Sequence, residues 1–543
     1  MPRDFYSDFL SELEALDDFL LRRHGGEHFV KPEDPDVRRL MEALAFFSAR
    51  TQAAASHEVA GAIARLSHGL LEDFTTPQPA RALLRARPSP RFTEAAHLPR
   101  GSRVRLETAD GDVGQFTTMA DLVVRPLELD RAELQLGGTA NYRVLIRLRS
   151  RVPVVTMTEP LSLHIDQLGD YEVSRQFVES LRRHMKRVAV VYGDPPSASE
   201  PGLECSFRHG TPRGDVDGAP LGESRRTVAR IREFFHFPAK ELALHIGLPR
   251  PPRPWRQAWL CLDLDEWPEG QVVRADMFRL FVVPIENLFT ELAEPIKCDG
   301  TRGSHPIRPW RVDGETTFHS VVEVQQELAT GMEPLLPGHL ASGDRSFDVD
   351  FQDDEAEPRL LLRLPDAFLD PRNVLVRARW YQPHFDAVAV GKLAATLQSR
   401  HFEGVEFRVQ GGLVPHRRSP LSGDADAMLH VLSRRSKRVL SRNDIVKLMA
   451  TLGAGPHGYH GDVAADIRHV EVHDEPTSSR ESGGVQHVYQ ISLADFAAER
   501  VGLIDDYLER VGELVNAWSN NPAVIRKIEH NPRKRGEAAR TKR

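Results

Sequence analysis

His469, Glu471 and His473 alternate along one stretch of sequence. In an extended strand that spacing puts all three on one face, with Val470 and Val472 on the other. Two imidazoles and a carboxylate can bind zinc, so a metal-dependent enzyme is one function class this stretch admits. Five of the 23 histidines fall between His457 and His487. His457 and His460 sit in Gly-rich turn text, however, and same-face polar residues are also what the solvated outer face of a strand carries. The expectation is therefore a strand face, with no metal bound. The run from Asp344 to Glu357 holds seven carboxylates, yet it lacks the central glycine and closing glutamate of a calcium loop, which leaves a charged strand and turn. Asp263, Asp265 and Glu266 offer paired carboxylates for acid–base work and read as surface residues. No GxxxxGK[ST], GxGxxG or GxSxG pattern occurs. Neither catalysis nor a cofactor is expected.

What the chain offers instead is apolar and aromatic text bounded by proline. Phe234, Phe235 and Phe237 precede Pro238, while Leu288 and Phe289 follow Pro284 and lead into Pro295. Such residues bury large areas in cores and permanent interfaces alike, so they point to assembly before chemistry.

The elements that would position these residues follow from periodicity. Phe5, Phe9, Leu13, Leu16, Phe19 and Leu20 recur at helical spacing and form an apolar stripe that something must cover. Asp34-Pro35-Asp36 announces a second helix carrying Val37, Leu40, Met41, Leu44 and Phe47, and Val59, Ile63, Leu66 and Leu70 mark a third. Residues 100–165 change to a period of two, with Asp110-Gly111 suited to a tight hairpin. A helix through Val173, Phe177, Leu181 and Met185 and a buried strand at Val188 to Tyr192 follow. Residues 193–222 hold six Gly and five Pro and read as a long surface loop, expendable for the core. The overlapping PxxP patterns of Pro249 to Pro254 could dock an aromatic groove and read more simply as a spacer between domains. Near the end, Ile504, Leu508, Val511, Val515 and Trp518 step 4-3-4-3, a seam like that of a helix bundle.

The expected fold is α+β and multidomain. It comprises an N-terminal helical region (1–95), an α+β domain (96–222), a Phe-rich α+β domain (223–345), a C-terminal α+β domain (346–525) whose helices form a bundle-like interface, and a basic tail (526–543). Its length, 543 residues, excludes a single small module, and 41 % apolar with 27 % charged residues excludes a disordered or collagen-like chain. No apolar run is long enough to span a bilayer, and no signal peptide opens the chain, so a cytosolic location is expected. Three scattered cysteines, Cys205, Cys261 and Cys298, read as small buried hydrophobes of a reducing compartment. The tail carries eight Lys or Arg against two Glu, leaving the body at −13 out of a net −7, a balance that repels nucleic acid.

Several of these segments, in order, resemble the TssF family of the bacterial type VI secretion system, also called VasA or ImpG. The resemblance rests on Asp34-Pro35, Val37, Leu40, Glu42 and Ala45-Phe46; on Leu98-Pro99 with Gly101; and on Phe116, Thr117, Asp121 and Pro126-Leu127. Glu233 to Lys240, Pro284 to Ile296 and the last helix with Asn516 complete it. The chain departs from the family pattern at Val283-Pro284-Ile285 and at Arg377 to Tyr381, which marks a divergent branch. Membership would imply a baseplate wedge protein and not an enzyme: two copies would grip one TssG, six wedges would ring the VgrG spike, and TssK and TssE would be further partners. The wedge would stay cytoplasmic, docked through partners at the inner face of the inner membrane, and would prime assembly of the tube and contractile sheath. Candidate interface residues are Phe5, Phe9, Leu13 and Leu16; Phe234, Phe235 and Phe237; Leu288 and Phe289; and Leu508, Val511, Val515 and Trp518.

Overall fold

A computed structural model describes residues 5–23, 35–136, 141–197, 200–210, 223–267, 271–310, 315–350, 357–387, 393–398, 402–421, 424–456, 458–476, 485–497, 500–519 and 522–529. The helices are α1 (Phe5–Arg23), α2 (Pro35–Thr75), α3 (Tyr171–His184), α4 (Glu223–His236), α5 (Ala425–Arg435), α6 (Arg442–Leu452), α7 (Val463–Asp466) and α8 (Val501–Trp518). The α+β character expected from the sequence is what the structure shows, with strands making up most of the middle. No helix among the described residues is long and apolar enough to cross a membrane.

Six strands close a barrel in the order Arg81–Pro88, Val282–Glu286, Val113–Thr118, Arg103–Glu107, Ala394–Leu397, Val405–Val414. Alternation builds its interior: Val104, Leu106, Phe116, Leu84 and Ile285 are fully buried, while Arg103, Arg105 and Glu107 alternate with the first two and face out. The barrel gathers stretches that a linear division of the chain keeps apart. Its centre is tight, since a Cβ on Gly114 would lie 2.8 Å from the Phe385 ring and 2.9 Å from that of Phe116. Gly114→Ala should therefore cost about 1–3 kcal/mol by overpacking, measurable as a lowered urea midpoint.

Continuous with the barrel core are two antiparallel sheets. One runs Leu203–Glu204, Met185–Tyr192, Trp255–Leu264, Tyr142–Val154, Leu127–Leu136, and the other Ser206–His209, Ala243–Gly247, Leu161–Ile165, Phe278–Leu280. Phe177, Val178 and Leu181 of α3 complete that core. Two expectations change here. The middle of the expected loop is structural: Leu203–Glu204 and Ser206–His209 are edge strands of the two sheets, and Cys205 between them is buried. Residues 211–222 of that loop lie outside the described residues. The Pro-Arg stretch likewise links one sheet of this core to the other and not two domains, and the Tyr192 hydroxyl donates to Pro249 O at 2.9 Å. All three cysteines are buried and free.

Residues 289–381 form a third body. Its main sheet joins Phe289–Leu292, Arg372–Tyr381, Thr317–Leu328 and Gly331–Leu335, with Ile296–Cys298 also pairing to the second of these. A three-stranded sheet, Ser304–Pro306, Arg359–Arg363, Ser346–Asp350, covers the same core around Val324, Leu360, Val374 and Val376.

The C-terminal lobe packs α4–α8 on a sheet of Ile467–Pro476, Val485–Leu493 and Ala523–Glu529. Strong local signals fix its helices: Ser441 and Asp444 make a reciprocal capping box at the start of α6, and Gly453 ends it at φ +120°. Asn516 folds the chain back after α8, its amide oxygen accepting from Ala523 N at 2.8 Å and its NH2 donating to Ala523 O at 2.9 Å. The basic tail is thus shorter than expected. Arg526 and Lys527 belong to the last strand, pairing with Glu475 and Asp505, and residues 530–543 lie outside the described part.

At the N-terminus the expected second and third helices are one. No proline or glycine pair interrupts residues 36–70, so α2 runs unbroken to a non-helical residue at Leu71 (φ −126°, ψ 31°). α1 packs on α2, and Ser48 Oγ donates to Glu12 at 2.8 Å.

Candidate partner interface

α1 and α2 make a helical hairpin whose apolar content exceeds what it buries. On the first half of α2, Met41, Ala45 and Ala49 form the buried line. One step round the same helix, Leu40, Leu44 and Phe47 follow at spacings of four and three and stand 65 %, 59 % and 63 % exposed. Tyr6, Leu10 and Phe19 on α1 and Phe46 and Val59 on α2 are exposed as well. Solvent-facing positions on a solitary helix are normally polar, and a contiguous apolar face of this kind marks a contact site.

The expected interface residues separate into three groups. Phe9, Leu13 and Leu16 are half-buried in the hairpin, whereas the side chain of Phe5 lies outside the described part. Phe234, Phe235, Leu508, Val511 and Val515 are buried in the C-terminal lobe's own core. Phe237 is buried too, and Trp518 is half-buried with its ring 5.8 Å from that of Phe74. Leu288 and Phe289 are half-buried beside Asn287, which lies in the Pro284 to Ile296 segment that carries the resemblance. Asn287 is buried and joins three stretches: its backbone N–H donates to Ala80 O, its NH2 to Gln115 O, and its carbonyl accepts from Gln382 N at 2.7 Å.

Between hairpin and body runs a neck, residues 71–80, and seven of its ten carbonyls accept from other elements. Arg232 on α4 donates to Asp73 O and, at 2.8 Å, to Thr76 O. Ser419 Oγ donates to Phe74 O at 2.6 Å. Gln78 and Arg417 exchange backbone bonds of 2.8 and 2.9 Å. Because Pro77 O and Pro79 O only accept, His319 and His236 must hold a hydrogen on Nε2 to bond them, at 3.0 and 2.8 Å. The neck thus fixes where the apolar hairpin projects. Its signals, two lone histidines and two arginines far apart in sequence, have no local pattern to reveal them.

Burial pushes both histidines well down, His236 to about 3 with Arg81 adding to the effect, and His319 to about 3 against the bond to Pro77. Both are neutral in the folded chain at pH 7. The unfolded chain takes up these protons near pH 6.5 while the folded chain does not until about pH 3, so stability is full above 6.5 and declines as pH falls through that window. Between pH 7 and 5.5 each should remove about 1 kcal/mol. A lowered melting temperature at pH 5.5, relieved by His319→Gln, is the expected reading.

The alternating residues do not form a metal site. His469 contacts Glu471 at 3.3 Å, both solvent-facing, while His473 turns to Glu475, which also pairs with Arg526. His457 lies outside the described part. Among the described residues no group of three His, Cys, Asp or Glu is placed to hold a metal ion. Asp263 is not at the surface; it is buried in a two-pronged pair with Arg143, while Asp265 bonds Lys186. His469→Ala should leave stability within about 0.5 kcal/mol, checked by the urea midpoint.

A family profile decides the identity: that of "Type VI secretion system, TssF" matches residues 23–346, more than half the chain. The chain belongs to the TssF family. Its fold agrees over nearly the whole length with a chain in a cryo-electron microscopy structure of the type VI secretion system TssK-TssF-TssG baseplate subcomplex. The TM-score is 0.74 at 16 % identity, covering 91 % of this chain and 96 % of that one. A chain from the baseplate complex of the type VI secretion system is also similar, with TM-score 0.55, 14 % identity and 97 % of each chain covered. No curated protein matches this chain in sequence.

Proposed function

We propose that this TssF-family chain is a structural subunit of a type VI secretion baseplate wedge and that its α1–α2 hairpin is the surface it gives to a TssG-type partner. The observation that carries the reading is the exposed line Leu40, Leu44, Phe47, displayed on a hairpin whose base is clamped by four separate elements. A rigid mount for an uncovered apolar face suits a permanent contact, because little ordering entropy remains to be lost on binding. The proposal includes two copies of this chain per TssG, further contacts to TssK, TssE and a VgrG-type spike, and no catalysis by this chain itself. It also places the wedge in the cytoplasm, docked through partners at the inner face of the inner membrane. Family membership supports this arrangement, as does the likeness to chains of solved baseplate assemblies.

The test is co-expression with the TssG-type subunit of the same source, purification through a tag on that subunit, and mass determination by multi-angle light scattering. A complex of two copies to one is expected. A solitary chain that ignores the tagged partner would overturn the assignment.

A further inference from the structure

Beside the neck lies a shallow concavity open to solvent. Arg232, Arg417 and Arg418 line it, together with Gln78, His236 and the end of α6 at Gly453, and no carboxylate does. The positive charge there is answered mainly by dipoles. Arg232 is buried and donates to the carbonyls of Asp73 and Thr76; Arg417 Nη1 donates to Gly453 O at 3.2 Å. Close by, buried Arg81 pairs with Glu286 through one nitrogen while its Nε and Nη1 find no partner. Burial pulls the Arg232 guanidinium down to about 10; the charges of Arg81 and Arg417 act in the same sense, and Asp73 acts against them. The side-chain oxygen of Gln78 is also buried without a partner, and a half-turn of that amide would present its NH2 to the concavity instead.

We propose that this concavity is a binding site for a small oxyanion of the phosphate class. Guanidinium groups suit such a ligand because their N–H donors match oxyanion geometry. Arg418 and the remaining donors of Arg417 would contact it, while Arg232, whose Nη donors go to Asp73 O and Thr76 O, adds charge from a separate element. Arg232 belongs to α4, while Arg417 and Arg418 follow the last barrel strand. A bound anion would offset their repulsion and tie α4 to that segment at the foot of α2. The site is independent of the assembly role, because it needs only this chain.

The experiment uses the full chain alone, with inorganic phosphate as probe and sodium chloride of equal ionic strength as reference. By mass action, about 10 mM phosphate should raise the melting temperature by about 2 °C over the chloride reference, and calorimetric titration should give a one-site isotherm. Arg418→Gln changes an exposed side chain, so its fold stays intact, and it should weaken phosphate binding at least about tenfold. Arg417→Gln should do the same, and Arg417→Lys should recover part of the loss by restoring charge without the fork. Equal melting temperatures in phosphate and chloride with no binding heat would overturn the proposal. So would wild-type phosphate affinity in Arg418→Gln.

Discussion

Replacing Leu44 and Phe47 together with aspartate leaves the isolated chain folded and weakens its complex with the TssG-type subunit at least about 100-fold. Both side chains are more than half exposed, and the buried line of α2 is Met41, Ala45 and Ala49, so the substitution removes little packing within the chain. On the proposed interface the same positions become desolvated, and an unpaired carboxylate there adds its burial cost to the lost apolar contact. Leu288→Asp, at a half-buried position that is not part of the hairpin, is the control. It should lower stability without an equal effect on the complex. Co-purification and light scattering on the same samples separate the two outcomes.

Asp506→Ala should cost about 3–5 kcal/mol of stability. Arg175 on α3 and Asp506 on α8 are both buried and meet through two parallel bonds of 2.5 and 2.7 Å, joining the two-sheet core to the C-terminal lobe. Burial pushes the Asp506 carboxyl up, but His460, 4.0 Å away, and Arg175 more than reverse this and hold it at about 2. Removing the carboxylate leaves the Arg175 charge with only Glu179 and the Gly502 carbonyl. Replacing both partners by apolar residues, as in R175M with D506L, should cost far less than the single change, because neither member of the pair is left alone and Glu179 keeps Arg183 at 2.8 Å. Urea unfolding of the three variants reads the difference. Equal losses in single and double variants would contradict this role for the pair.

Local pattern carried much of the fold. The stripe of α1, the hairpin turn at Gly111 and the alternation of Val104, Leu106 and Phe116 are each written within a few residues, and each is found in place. Closure of the barrel was not legible, since pairing Arg81–Pro88 with Val282–Glu286 and Val405–Val414 depends on contacts across hundreds of residues. The same limit hid the neck, where His319 and His236 act through single carbonyl bonds to Pro77 and Pro79.

Helical periodicity also says which residues share a face and not what covers that face. Leu508, Val511 and Val515 carry the same signature as Leu40, Leu44 and Phe47; the first set is buried in this chain and the second stands open. Only the three-dimensional arrangement separates a core seam from a candidate contact.

Hydrogen–deuterium exchange on the chain alone and in its complex with the TssG-type subunit reads the proposed hairpin contact directly. Added protection is expected in α1 and the first half of α2, with α8, already buried, unchanged. Unchanged exchange across the hairpin, with new protection appearing elsewhere in the chain, would contradict it.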